Sequence, residues 1–252
     1  MLKRWPGFLL IVMILILWEY ASAYKWIDPV SMPRVSTIAV SWAKNINGGA
    51  LLESLSPTLG RIGAGFGLAA LVAVPMGLLM GSVPIIYRLF EPITEFVRPI
   101  PSSAYIPVAI LFLGIDNEMK VFVVFLASLF PILLNTYSGV RAVDPVLIDT
   151  GRTLGVSWMR ALWSIVLPAS LPSILTGMRI SLGISLIVVV VAEMIAGNSG
   201  IGYFILDMQR IFRVPEMFAG IFTLGVLGFA INFLFLKVEG RLLSWRGTSA
   251  ET

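Results

Sequence analysis

DTGRTLGVSWMRALWSIVLPASLP, residues 149–172, is the polar interruption around which this chain is arranged. Long apolar runs flank it on both sides. The spacing predicts a short helix over Asp149–Arg160, with Gly155 allowing a sharp change of direction. Leu154 and Trp158 are four apart and would share a small apolar face. Leu167-Pro168 and Leu171-Pro172 are expected to break the chain before the next apolar run. A short helix across a membrane surface, tied to two spans, is what a soluble partner would need to push on. On physics alone the same stretch reads equally well as an ordinary interfacial loop.

The membrane enters through composition. Of 252 residues, 58% are hydrophobic and 13% charged, whereas a soluble domain carries about 25% charged residues. One globule of this length cannot hide so much apolar surface, so lipid must cover part of it. No linker-like stretch divides the chain, so a single integral membrane domain is expected. The absence of Cys and His excludes disulfides, Cys- or His-based zinc sites, haem ligation by either residue and every His-based triad. A net charge of +4 reflects cytoplasmic loops in such a protein rather than nucleic-acid binding.

Read in order, the N-terminus combines Lys3 and Arg4 with an apolar run from Gly7 to Trp18 and then Ala21-Ser22-Ala23. This resembles a cleavable signal peptide; the preferred reading is a retained first span over Trp5–Tyr24, with Glu19 an interfacial charge. Val35–Ile46 has helical spacing. A glycine-rich second span runs over Ser56–Met80, and Gly63 and Gly67, four apart, suggest close helix packing. Val83–Arg98 carries Arg88, Glu91, Glu95 and Arg98, with both opposite-charge pairs three apart. Four charges point to a cytoplasmic or interfacial helix, stopped by Pro99-Ile100-Pro101. The third span, Ser102–Leu113, is interrupted by Pro107 and covers only about 18 Å as a helix. Short, proline-broken helices can mark a pathway. Met119–Ser138, Ser173–Ala196 and Met217–Lys237 complete six spans, and Tyr203–Phe212 suggests a short outer helix.

With both termini inside, the cytoplasmic cations are Lys3, Arg4, Arg88, Arg98, Arg141, Arg152, Arg160, Arg179, Lys237, Arg241 and Arg246. The outer ones are Lys25, Arg34, Lys44, Arg61, Lys120, Arg210 and Arg213. Eleven against seven supports this orientation.

Residues 149–168 resemble the cytoplasmic signature of ABC importer permeases. That signature is Glu-Ala-Ala, a Gly four residues after the last Ala, nine residues, then Ile-x-Leu-Pro. Here Asp149-Thr150-Gly151 stands in the Glu-Ala-Ala place. Gly155 follows, then residues 156–164 and Ile165-Val166-Leu167-Pro168. Asp keeps the charge, and Thr-Gly replaces Ala-Ala. PITEFVRPIPSSAYIP at 92–107, LFLGID at 111–116, FPILLNTYSGVRAVDP at 130–145, ILTGMRISLG at 174–183 and AEMIAGNSGIGY at 192–203 are similar to the nitrate/sulfonate/bicarbonate (taurine-type) permeases. Phe112-Leu113-Gly114 departs from their usual Trp-Phe-Gly.

The resemblance implies an all-α integral membrane protein with the type I ABC importer permease fold: about six transmembrane helices and a cytoplasmic coupling helix. Residues 1–55 would hold the first span and an outer segment. The permease core would be 56–241 with a coupling loop at 139–172, and 242–252 a cytoplasmic tail. The implied partners are two ATPase subunits, a second permease copy forming a homodimer, an external solute-binding protein and a small anionic solute. No nucleic acid is implied. The chain has no G-x-x-x-x-G-K-[ST] loop, so ATP and magnesium would be bound by the ATPase, and this subunit would hold no cofactor and no metal.

Coupling is assigned to Asp149, Thr150, Gly151, Arg152, Leu154, Gly155, Val156 and Trp158. Pathway or gate candidates are Glu193, Arg179, Asn135, Thr136, Ser181 and Ser185. Glu193, roughly 12 Å beyond its span's middle, reads as a structural charge paired at the outer end or as a residue beside the gate. Arg179 would snorkel or attract an anion at the inner mouth, and the four polar residues would line the path or bond other helices. A secondary transporter is the alternative, but intramembrane charge is scarce and the coupling signature would have no use. A membrane-embedded enzyme lacks any Gly-x-Ser-x-Gly or paired-Asp motif.

Overall fold

The computed structural model describes residues 5–245. Lys3, Arg4, Arg246 and the end of the expected tail lie outside the described residues. The helices are α1 (Trp5–Ala23), α2 (Val35–Asn47), α3 (Ala50–Ser82), α4 (Pro84–Val97), α5 (Ile106–Leu113), α6 (Asn117–Arg141), α7 (Pro145–Thr153), α8 (Trp158–Ala161), α9 (Leu167–Ala196), α10 (Ile201–Arg210) and α11 (Val214–Leu242). A 3₁₀ turn, Ser102–Tyr105, leads into α5, and a π turn, Leu162–Val166, joins α8 to α9.

Four stretches among the described residues are long and apolar enough to cross a bilayer: α3, α6, Trp158–Ala196 and α11. α4 and Ser102–Leu113 form a further pair bent by 85°. The four charges that suggested a surface helix therefore belong to one arm of a broken element. Along α4 and its cap residue Arg98 the two expected pairs divide. Arg98 approaches Glu95 at 3.3 Å, whereas Glu91 accepts the Tyr87 hydroxyl instead of meeting Arg88. In α1, Leu9–Ala23 is an apolar helix shorter than a full span. Glu19 near its end accepts from the Ser36 backbone N–H and hydroxyl at 3.0 and 2.7 Å, so this interfacial charge caps the first turn of α2.

α6 lies between α3 and α9. Lipid tails are as apolar as leucine, so membrane helices associate through close packing and interhelical hydrogen bonds. α3 offers a stripe of small residues four apart: Gly65, Ala69, Ala73, Gly77 and Gly81. A Cβ on Gly65 would stand 2.6 Å from a Val124 methyl, and one on Gly77 2.6 Å from Thr136. Gly177 of α9 meets Asn135 in the same way. Gly63 and Gly67, the pair singled out from the sequence, have no neighbour near a would-be Cβ. Both glycine sets repeat every four residues. The contact falls on the one whose repeat is extended by alanines, because the whole stripe must be small for the backbones to approach.

The prolines after the polar stretch do not break the chain. Pro168 follows directly on the π turn Leu162–Val166, and Pro172 lies inside the helix. Helix is continuous from Trp158 to Ala196, with the π turn marking the change in register that leads into the prolines.

Adding a side chain to the contact stripe should be costly and adding one outside it should not. Gly77→Val is expected to destabilise the protein by about 1–3 kcal/mol, read as a lower melting temperature in detergent. Gly63→Val should melt like wild type; an equal loss for both would contradict the packing described.

Candidate functional site

Two constellations stand at opposite ends of α9. The first is the surface turn formed by α7 and α8. Asp144 caps α7, its carboxylate accepting the Val146 N–H at 2.9 Å, and Pro145 follows at the first helical position, a favourable start. The helix stops by a Schellman closure: Val156 N–H donates to Gly151 O and Gly155 N–H to Arg152 O, both at 3.0 Å. This closure needs a left-handed residue at position 155, and Gly155 has φ +72°, so glycine is required there by backbone conformation. The space around a would-be Cβ is open.

Asp149–Arg160 is thus two helices rather than one. Leu154 ends the first, Trp158 begins the second, and they share no helix face. Both remain exposed, at 76% and 50%. Arg152 pairs with Asp149 at 3.1 Å with both side chains largely in solvent, so the pair orients the turn more than it stabilises it. Thr150 donates to Val146 O at 2.7 Å and Thr153 to Asp149 O at 2.9 Å, which ties the first turns internally. Gly151 is buried, and a Cβ there would stand 2.7 Å from the Ile165 Cδ1. The substitution of Gly for the second Ala of the signature lets α7 press against the π turn. Behind the turn a cavity of about 240 Å³ is lined by Ile148, Arg152, Val156, Trp158, Leu162 and the α3 end at Gly81 and Ser82.

The second constellation is a buried ion pair. Glu193 is fully buried, and its Oε1 lies 2.6 Å from Arg61 Nη1, itself 3% exposed. Thr58 Oγ1 lies 2.9 and 3.0 Å from the two carboxylate oxygens, and Gly202 N–H donates to Oε2 at 3.0 Å. Arg61 also donates to Asn117 Oδ1, Ser199 O and Ser199 Oγ at 2.8–2.9 Å. Ile201 N–H donates to Thr58 Oγ1 at 3.0 Å. One carboxylate therefore joins α3, α6, α9 and the start of α10. Gly200, with φ +108°, and Gly202 let the backbone lie against it, since a Cβ on Gly200 would overlap the carboxylate. Buried charges are tolerable only when paired and hydrogen-bonded in this way. Beside it Lys120, also fully buried, donates to Ile115 O at 2.6 Å.

Sequence reasoning placed Glu193 at the outer end and foresaw a partner, but missed Arg61, Thr58, Asn117 and Ser199. The available signal was a second charge at matching depth: Arg61 sits near the start of α3, which runs antiparallel to α9. Arg179 faces Glu239 of α11 at 3.7 Å and borders a small crevice with Leu186, Gly228 and Asn232. Ser181 donates to Ser128 O at 2.9 Å and Ser185 lies 2.7 Å from Ser128 Oγ, both fully buried in the α6–α9 contact. Thr136 donates to Ile132 O and Asn135 to Pro131 O, each on its own helix. No group of three or more His, Cys, Asp or Glu side chains placed to hold a metal occurs among the described residues.

A bundle of membrane-length apolar helices tied by a buried, internally satisfied ion pair defines an integral membrane protein. The chain belongs to the family of binding-protein-dependent transport system inner membrane components, whose family model matches residues 73–243. It is 32% identical to SsuC of Bacillus subtilis, named as an aliphatic sulfonates transport permease, over 96% of this chain and 88% of that one. It is 31% identical to the bicarbonate transport system permease CmpB of Synechocystis sp., over 86% and 81%. Its fold matches a chain of the inward-facing MetNI methionine ABC transporter with a TM-score of 0.66 at 19% identity, covering 76% of this chain and 95% of that chain.

Breaking the buried pair should cost more than replacing it. Glu193→Leu alone should destabilise by roughly 3–5 kcal/mol, and Arg61→Leu similarly. The double substitution should lose less than the sum of the two in thermal unfolding; strict additivity would show that the pair is not coupled.

Proposed function

We propose that this chain forms the translocation pathway of an importer driven by separate ATP-hydrolysing subunits, which dock on residues 145–166. The observation that carries this reading is the rigid turn at Gly155, which holds Leu154 and Trp158 in solvent at the foot of an unbroken helix. Leu154 projects into solvent and Trp158 keeps half its surface there, an apolar pair that suits a groove on a soluble partner. Asp149, Thr150, Gly151 and Arg152 shape and orient the turn, and Val156 backs it. The partner pushes here, and α9 carries the displacement through the bilayer.

ATP and magnesium belong to the partner, and this subunit contributes no catalytic group. Two copies of the chain enclose the path, with both termini and the Gly155 turn on the cytoplasmic side and α10 facing an external binding protein. Aliphatic sulfonates and bicarbonate, for which two relatives are named, are both small oxyanions, which supports an anionic solute. Glu193, enclosed and fully paired, acts as the outer tie between helices, and Arg179 as a link from α9 to α11.

Gly155→Trp and Asp149→Lys are the test. Each variant should reach the membrane at wild-type level, while ATP-dependent uptake into vesicles containing the ATPase and binding protein falls to background. Normal uptake by either would remove the coupling assignment.

A further inference from the structure

We infer that Arg98, at the break between α4 and α5, is an oxyanion-binding residue on the translocation path, with Ser102 and Tyr105 completing the subsite. This deepens the importer reading above and rests on it for the identity of the path. The chain reverses direction through Pro99-Ile100-Pro101 and a 3₁₀ turn, and the two arms meet at 85°. A cavity of about 350 Å³ opens at this break, lined by Arg98, Ser102, Tyr105, Leu126, Pro131 and Ile184. Leu126 and Pro131 straddle the midpoint of α6, and Ile184 lies close to that of α9. Arg98, counted from the sequence among the cytoplasmic cations, therefore stands at mid-span depth.

A guanidinium at that depth is costly unless it lines a water-filled cavity or meets an opposite charge. Irregular backbone is likewise tolerated there only against protein or a cavity. The cavity at the break meets both conditions. The partner on the page is weak: Arg98 Nη2 approaches Glu95 Oε2 at 3.3 Å, and both side chains are about half exposed. The other guanidinium N–H groups, the Ser102 hydroxyl and the Tyr105 hydroxyl find no protein acceptor among the described residues. Arg61, by contrast, spends its donors on Glu193, Ser199 and Asn117. An oxyanion offers Arg98 two parallel charge-assisted bonds, with Glu95 as the counterion it displaces. The apolar walls at Leu126, Pro131 and Ile184 raise the effect of a single charge on whatever enters.

The chain contains no cysteine, so Ser102→Cys supplies its one thiol beside Arg98. The complete importer carrying this change, reconstituted in liposomes, is treated with 2-sulfonatoethyl methanethiosulfonate and separately with 2-(trimethylammonio)ethyl methanethiosulfonate. Rates of modification of this chain are normalised to those of free cysteine. The sulfonate reagent should react faster, and Arg98→Gln in the same background should reduce the anion-to-cation ratio about tenfold, the scale of one nearby charge in a partly hydrated site. Arg98→Lys, which keeps the charge, should retain most of the preference and controls for misfolding. A thiol that neither reagent reaches, or a ratio unchanged by Arg98→Gln, overturns the assignment. ATP-dependent uptake by the unmodified complex is measured in parallel. Its failure with the labelling preference intact would reject the importer reading while leaving Arg98 an anion site.

Discussion

The close approach of α6 to α3 on one side and α9 on the other is the contact on which the rest of this molecule depends. In a bilayer no difference in hydrophobicity holds helices together. The stripe from Gly65 to Gly81 therefore does what a leucine core does in water. It brings backbones near enough for dispersion contacts to accumulate and for Ser128, Ser181 and Ser185 to bond across the α6–α9 contact. At the end of this packed trio remote from the Gly155 turn, the Glu193 carboxylate closes the bundle. It is satisfied from α3 by Arg61 and Thr58 and from α10 by a backbone N–H, and Arg61 carries the connection to Asn117 at the start of α6.

These features place one long helix between the two sites. Helix runs unbroken over the 39 residues from Trp158 to Ala196, about 58 Å at 1.5 Å per residue. One end is the exposed turn held by Gly155, and the other is the Glu193 tie. Between them lies the break at residues 98–105, where the cavity lined by Arg98 opens against the middle of α6 and α9. The helix that leaves the turn is thus the one that borders the cavity and ends at the Glu193 tie.

Much of this was legible in the chain itself. Apolar runs locate α3, α6, α9 and α11, and the Asp149-to-Pro168 spacing locates the turn, because both signals are local. Gly155 was readable as a point where direction could change, but the helix end at Leu154 was not, since nothing in the run 149–160 marked two helices rather than one. What escaped depends on contacts distant in sequence. Arg61 lies 132 residues from Glu193, and nothing near either residue names the other. Gly63 and Gly67 carry the same four-residue signal as Gly77 and Gly81, and only the neighbouring helix decides which stripe is buried. Pro168 and Pro172 looked like breaks because proline rules describe isolated helices, whereas here a π turn precedes them. Arg98 was counted as cytoplasmic because charge counting assigns depth by span boundaries, and a span broken at 85° has no single boundary.

The central claim is that force enters this subunit from an ATP-hydrolysing partner at the Gly155 turn. The most direct measurement is solute uptake into sealed vesicles holding the chain, its ATPase subunits and its binding protein. ATP is supplied at the cytoplasmic face in one set and an ion gradient without ATP in another. Uptake that requires ATP and ignores the gradient would agree with the claim. Gradient-driven uptake proceeding without ATP would contradict it and make the chain a secondary transporter.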